Sequence, residues 1–295
     1  MLPSAYIDRM TEFMGDKCLV WIKEAEESLS YAINRFELSN LKCLDLSYNI
    51  VYAAESGKYG DVVLKLCLPG KEYMTELNAI HELNKNHMVK CIAYDEEKRI
   101  LLLEQLKPGQ TLWHLPIKER LEVAVPIINQ TPNFNYTKSY PKFIDWILRI
   151  RDYIGQNYPL VEMNDHLSFL IKTFEELNIP ENPEMLIHGD LHHGNILKGE
   201  AWTVIDPKGA IGYKSLEVGR YMNNQIQEDG INEELCLKEM ISCFSKGLEL
   251  SERTILLSFY ADMVLSTSWF YESYVVDEKA INEKIKIIRM IRNGL

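Results

Sequence analysis

An α+β chain of two lobes, a small antiparallel sheet with one helix followed by a mostly helical unit, is predicted by three observations. Short β-branched runs cluster between residues 44 and 106, and most of 107–295 has helical period. The length, 295 residues, suffices for about two packed units at roughly 100–200 residues each.

Residues 15–36 carry Cys18, Trp21, Ile22, Ala25, Leu29 and Ala32 near helical spacing, so they form an amphipathic packing helix, and the chain turns over Asn34 to Asn40. The runs NIVYAAE (49–55) and DVVLKLCL (61–68) flank the polar Ser56-Gly57-Lys58-Tyr59-Gly60 segment as a hairpin. Pro69-Gly70 ends the second strand, and a helix over 71–85 comes next. VKCIAYDEE (89–97) and RILLLEQL (99–106) supply two further strands before Lys107-Pro108-Gly109. The expected lobes are therefore 1–106 and 107–295. In the second, helices are expected over 111–130, 140–157, 164–178, 231–246, 251–275 and 277–292, with a loop over 210–230. Only 195–206 breaks that pattern, because two apolar runs flank Lys198-Gly199-Glu200 as a hairpin.

The chain has 32 Lys+Arg against 43 Asp+Glu, a net charge of −11, with no strongly basic run, which argues against wrapping nucleic acid. Six dispersed cysteines with no CxxC pair suit free thiols in a reducing compartment. The start, MLPSAYIDRMTEF, lacks the basic and apolar regions of a leader, and Asp262 interrupts the most membrane-like stretch, 254–270. A cytoplasmic chain without membrane contact or an obligate protein partner is expected.

The chemistry is concentrated in IHGDLHHGNIL (187–197), followed after one hairpin by Val204-Ile205-Asp206. Asp190, Asn195 and Asp206 are brought together by that hairpin, and phosphoryl transfer needs this set. One carboxylate orients the incoming hydroxyl and accepts its proton, while an amide oxygen and a second carboxylate suit Mg²⁺ on a triphosphate. The Asp190–Asn195 spacing matches the kinase catalytic loop. Alone it is common and mostly means a capped turn; the whole string is far more specific. A hydrolytic metal site built from His188, Asp190, His192 and His193 is the rival, but of the other histidines His81, His87 and His114 lie in or just after the first lobe, and His166 lies in a helix of the second, away from the motif in sequence.

Lys65 stands within the apolar run Val62–Leu68, where an unpaired ammonium is costly. In the next helix Tyr73, Leu77, Ile80 and Leu83 mark the buried stripe, and Glu76 falls within that arc. A strand Lys met by a helix Glu is the ion pair that sets a lysine against the α- and β-phosphates. Edge-strand exposure of Lys65 is the alternative.

On HGDLHHGNIL, WTVIDPKGAIGYKSLEVGRYMNN, the strand Lys65, the helix Glu76 and the LLLEQL hinge, the sequence resembles the aminoglycoside phosphotransferases of the protein-kinase-like fold. Within them it is most similar to the streptomycin 6-kinase and hydroxyurea phosphotransferase branch. The resemblance implies Asp190 as catalytic base, Asn195 and Asp206 as Mg²⁺ ligands, and Lys65, oriented by Glu76, on the phosphates. It further implies that backbone groups of Glu104 and Leu106 meet adenine, and that Glu217, Trp269 and Glu272, beside Asp190, contact the acceptor. The implied reaction moves the γ-phosphate of ATP, with GTP as a possible substitute, to a hydroxyl of a small cationic acceptor such as streptomycin. A choline, homoserine or sugar kinase, and a nucleotide-binding protein without transfer, remain alternatives. Where kinases place glycines over the phosphates, the chain has Leu46-Ser47-Tyr48-Asn49-Ile50-Val51, so a phosphate clamp rests on Ser47 and backbone amides of a stiffer turn. Lys208, directly after Asp206-Pro207, is left open between a phosphate and a carboxylate partner.

Overall fold

The computed structural model describes residues 4–15, 17–44, 48–83, 85–229, 233–272 and 277–295. Helices α1 (Ser4–Met14) and α2 (Lys17–Phe36) precede strands β1 (Leu38–Cys43), β2 (Ile50–Ser56) and β3 (Gly60–Leu66). Helix α3 (Glu72–Glu82) and strands β4 (Cys91–Asp95) and β5 (Ile100–Glu104) come after them. The five strands form one antiparallel sheet in the order β1-β2-β3-β5-β4, which puts β3 at its centre.

Side-chain alternation then sorts the sheet into two faces. Val62, Leu64 and Leu66 of β3, with Ile100 and Leu102 of β5, pack beneath Tyr6, Met10, Trp21 and Ala25 of α1 and α2. Leu101 and Leu103 point the other way, toward Tyr73, Leu77 and Ile80 of α3, into a core continuous with the helical lobe. Lys65, in register with Leu101, is therefore delivered to the α3 face of a central strand and is 5% exposed. Edge-strand exposure does not apply to it.

The second lobe comprises α4 (Ile117–Gln130), α5 (Phe143–Asn157), α6 (Met163–Thr173), β6 (Glu184–Ile187), β7 (Ile196–Lys198), β8 (Trp202–Val204), β9 (Ala210–Tyr213), α7 (Lys214–Asp229), α8 (Glu233–Leu248), α9 (Glu252–Trp269) and α10 (Glu278–Gly294). Helix α9 is buried along almost its whole length, which accounts for its membrane-like composition. No helix among the described residues is long and apolar enough to cross a membrane. Helices α7 and α9 cross at Gly219, where an added Cβ would stand 2.2 Å from the Ser258 carbonyl oxygen.

The β7–β8 hairpin, which carries Asn195 at its start and Asp206 just beyond its end, is tied to the chain just before β4 and just after β5. The Gly109 N–H donates to the Lys198 carbonyl and the Lys198 N–H to that of Gln110, each at 2.8 Å. Val204 donates to His87 at 2.6 Å and accepts from Val89 at 2.9 Å.

Four features differ from the sequence expectation. Helix α1 and strand β1 lie where none was expected, and β6, whose last residue Ile187 opens the IHGDLHHGNIL segment, pairs with β9. The expected 210–230 loop is instead the end strand β9 and the four-turn helix α7. Polar Glu217, Asn223 and Gln225 are buried in it beside Leu216, Val218, Tyr221 and Met222, and this mixture blurs the apolar period.

Candidate active site

Lys65 Nζ lies 2.6 Å from Glu76 Oε1 and also contacts Asp206 Oδ1, joining the central strand, α3 and the end of the hairpin. Burial opposes its charge, but Asp206 and then Glu76 outweigh that and raise its pKa above the ordinary lysine value. Asp206 is correspondingly held below the ordinary carboxylate range, chiefly by Lys65. Its backbone is left-handed, with φ of 62°, and Gly209 three residues on has φ of 68°. At Gly209 an added Cβ would lie 2.9 Å from both the Thr75 carbonyl oxygen and Ala79 Cβ. Only glycine lets α3, and with it Glu76, come this close to the segment after Asp206.

Asp190 occupies the loop between β6 and β7, and three contacts hold it. Its N–H donates to His188 Nδ1 at 3.2 Å, and Asn195 Nδ2 donates to its carbonyl at 2.9 Å. Arg220 Nε donates to its Oδ1 at 2.7 Å. Lys208 Nζ stands 3.8 Å from Oδ2, and Arg220 also lies 3.7 Å from Asp262 Oδ2. Burial works against ionisation of Asp190, yet the Arg220 guanidinium and next the Lys208 ammonium hold its carboxyl well below the usual range.

The histidines of the motif serve the loop. His188 is fully enclosed, burial pushes its pKa down to about 4, and its Nε2 meets the Ile205 carbonyl at 2.9 Å. His193 is sandwiched between the rings of Trp113 and Tyr221, with centroids 4.0 and 3.8 Å away. His192 Nδ1 accepts the Gly194 N–H at 3.1 Å. The imidazoles thus point to separate partners, and no group of three His, Cys, Asp or Glu side chains able to hold a metal exists among the described residues.

Asn195 and Asp206 fit a hard cation by their chemistry. With Nδ2 committed to the Asp190 carbonyl, the Asn195 amide turns its oxygen the other way, and one Asp206 oxygen stays clear of Lys65. At the hinge, the Glu104 N–H donates to the Lys90 carbonyl at 3.0 Å, so of its two backbone groups that N–H is already used inside the sheet. Leu106 is half-buried, with its side chain facing Gly199 of the hairpin. Ser47 lies outside the described residues. Next to it in sequence, the Tyr48 carbonyl accepts the Tyr6 hydroxyl at 2.8 Å, which ties α1 to the residue two before β2.

The three residues expected at the acceptor sit differently from one another. Glu217 departs from that expectation: it is 1% exposed against the β6–β7 loop, where its Oε1 accepts the Gly189 N–H at 2.9 Å. The Trp269 ring is faced by Lys208 Nζ at 5.0 Å and Arg220 Cζ at 6.0 Å, cations of the chain itself. Glu272 is paired with Arg149 through two contacts of 2.5 and 2.9 Å. Sequence reasoning missed Arg220. The signal was Asp262, an acid in the middle of an apolar helix, which required a partner just as Lys65 did.

Burial pushes the Glu217 pKa up to about 7, and the N–H groups it accepts from only partly counter this. Between the ordinary value of 4.5 and about 7, the folded chain keeps a proton that the unfolded chain releases. Stability therefore falls as pH rises through that window, by at most about 3 kcal/mol. Urea denaturation of the wild type and of Glu217→Gln, which cannot ionise, should give a stability difference that moves against the wild type from pH 4.5 to above 7. A pH-independent difference would mean that Glu217 titrates as an ordinary carboxylate.

Residues 60–273 match the profile of the aminoglycoside/hydroxyurea antibiotic resistance kinases. Streptomycin 6-kinase of Streptomyces griseus is 22% identical over 223 residues, 72% of this chain and 71% of that protein. Among solved structures, the choline kinase LicA of Streptococcus pneumoniae superposes with a TM-score of 0.69 at 14% identity, covering 91% of this chain and 99% of that one. The amicoumacin kinase hAmiN, solved with AMP-PNP and Ca²⁺, gives a TM-score of 0.61 at 14% identity, covering 92% of this chain and 96% of that one. The fold is thus kinase-like, and the chain belongs to the aminoglycoside/hydroxyurea antibiotic resistance kinase family, small-molecule phosphotransferases with hydroxyl acceptors.

Proposed function

We propose that this chain transfers the γ-phosphoryl group of ATP, with Mg²⁺, to a hydroxyl of a small aminocyclitol-type acceptor such as streptomycin. The observation that carries it is the Lys65–Glu76–Asp206 ion triad, which joins the sheet to the hairpin, next to the loop that holds Asp190. The nucleotide would lie between residues 1–106 and 107–295, its adenine at the Glu104 carbonyl and Leu106 amide, its phosphates at Lys65 and Ser47. Use of ATP agrees with the expected cytoplasmic location.

Asn195 and Asp206 would hold the Mg²⁺, which when bound neutralises phosphate charge. Asp190 accepts the proton of the acceptor hydroxyl, and Arg220 fixes its carboxylate. Glu217 and His188 keep the loop in place from below. Similarity to streptomycin 6-kinase and the family profile support the acceptor class. A second reading, an acceptor without net positive charge, is favoured by Lys208 and Arg220 on the Trp269 face and by Arg149 on Glu272. ADP release measured with ATP or GTP against streptomycin, hydroxyurea, choline, homoserine and simple sugars separates the readings. Streptomycin should stimulate release at least tenfold over water. A response confined to neutral or anionic acceptors would select the second reading, and no release with any of them would leave a nucleotide-binding protein without transfer.

A further inference from the structure

The segment Asp206-Pro207-Lys208-Gly209 is pinned from several sides. Both ends have positive φ, the Gly209 N–H donates to the His188 carbonyl at 3.0 Å, and α3 presses on Gly209. A Cβ built on Gly189 would touch Lys208 Cβ at 3.6 Å, so the catalytic loop backs this residue as well. From that fixed base Lys208 extends over the Trp269 ring and brings Nζ to 3.8 Å from Asp190 Oδ2. At this distance there is no direct hydrogen bond, and none of its three N–H donors has an acceptor among the described residues.

Lys65 and Arg220 are otherwise engaged. Lys65 is shared by Glu76 and Asp206, and Arg220 is divided between Asp190 and Asp262. Asp190 has Arg220 hydrogen-bonded to Oδ1 as its first counter-charge, ahead of the more distant Lys208. His192 cannot take this place as a doubly protonated cation while its Nδ1 accepts the Gly194 N–H.

We propose that Lys208 is a catalytic residue that binds the phosphoryl group in flight between nucleotide and acceptor. The inference rests on the phosphotransfer reading above. The γ-phosphorus to bridging-oxygen bond breaks with its electron pair leaving on ADP, and the acceptor oxygen bonds to that phosphorus. The hydroxyl proton passes to Asp190 Oδ2, the oxygen Arg220 leaves open. An acceptor oxygen within about 2.7 Å of Oδ2 sets the phosphorus beside it, and the equatorial phosphoryl oxygens then fall within reach of Nζ. Lys208 gives up no proton; it meets the charge that develops on those oxygens.

The test compares wild type, Lys208→Met and Lys208→Arg, by ADP release with streptomycin and with water, and by calorimetry with Mg²⁺ and nucleotide. In the methionine variant the pH-independent plateau of kcat should fall about a hundred-fold or more, while ATP affinity stays within about twofold. Arginine should recover part of the loss. Binding of ADP with Mg²⁺ and aluminium fluoride, which imitates the phosphoryl group in flight, should weaken by a similar factor to kcat. A retained plateau with only the acid limb displaced would show Lys208 acting through Asp190 and overturn the proposal, as would unchanged aluminium fluoride binding. Wild type that releases no ADP under any condition defeats the phosphotransfer reading itself; active wild type with an equally active Lys208→Met defeats Lys208 alone.

Discussion

Asp190→Asn is expected to lower kcat by about 10²–10⁴-fold while leaving nucleotide affinity almost unchanged. The side chain keeps its shape, and Arg220 Nε, now 2.7 Å from Oδ1, can still donate to the amide oxygen. What disappears is the acceptor at Oδ2, where an amide nitrogen cannot take the hydroxyl proton. Asn195 is not disturbed, because it donates to the backbone carbonyl of residue 190 rather than to its carboxylate. Lys65, Glu76 and Asp206 make no direct contact with the Asp190 side chain, so the phosphate and metal positions persist. Steady-state ADP release combined with calorimetry against Mg²⁺ and ATP separates the two effects. Activity within tenfold of wild type would remove Asp190 as the base, whereas parallel loss of nucleotide binding would mean that the loop itself had collapsed.

Periodicity records only local neighbours, which is why some of these side chains could be found without coordinates and others could not. The alternation of Val62, Leu64 and Leu66 against Val63, Lys65 and Cys67 assigns Lys65 to one face, and the helical arc of Tyr73, Leu77 and Ile80 includes Glu76. Both are local signals, and the 190–206 hairpin is local too. Helix α7 was hard to read because its buried apolar residues, Leu216, Val218, Tyr221 and Met222, alternate with polar ones satisfied from distant stretches, Arg220 by Asp190 and Asn223 by Asp262 at 2.6 Å. Strand β1 was hidden by a register shift between Ser39 and Lys42 and a positive φ at Asn40, which break its alternation. Strands β6 and β9, four residues each, give too short a pattern to distinguish from buried loop. Glu217 shows the limit most sharply: its burial depends on Gly189, 28 residues earlier, and a carboxylate carries no mark of whether it faces a ligand or a loop.

Lys65→Met should abolish measurable turnover and also destabilise the fold by about 3–5 kcal/mol, because it leaves Glu76, 7% exposed, without its partner 2.6 Å away. Asp206 loses the same partner but is half open to water, with 48% of its side chain exposed, so its share of the cost is small. The two consequences can be separated. In Lys65→Met/Glu76→Leu both buried charges are gone and the side chains can pack against Leu77 and Leu101, so stability should return to near wild type. Activity should not return, since no ammonium reaches the phosphates. Glu76→Leu alone should be milder than Lys65→Met in stability, as Asp206 still neutralises Lys65. Denaturant midpoints of the four proteins give the coupling energy between residues 65 and 76, and calorimetry with nucleotide gives the functional part. If the double variant stayed as unstable as Lys65→Met, the cost would lie in packing and not in the unpaired carboxylate. If it transferred phosphate at the wild-type rate, Lys65 would have no part in holding the nucleotide, and the triad would be only the strut that fixes α3 to the hairpin.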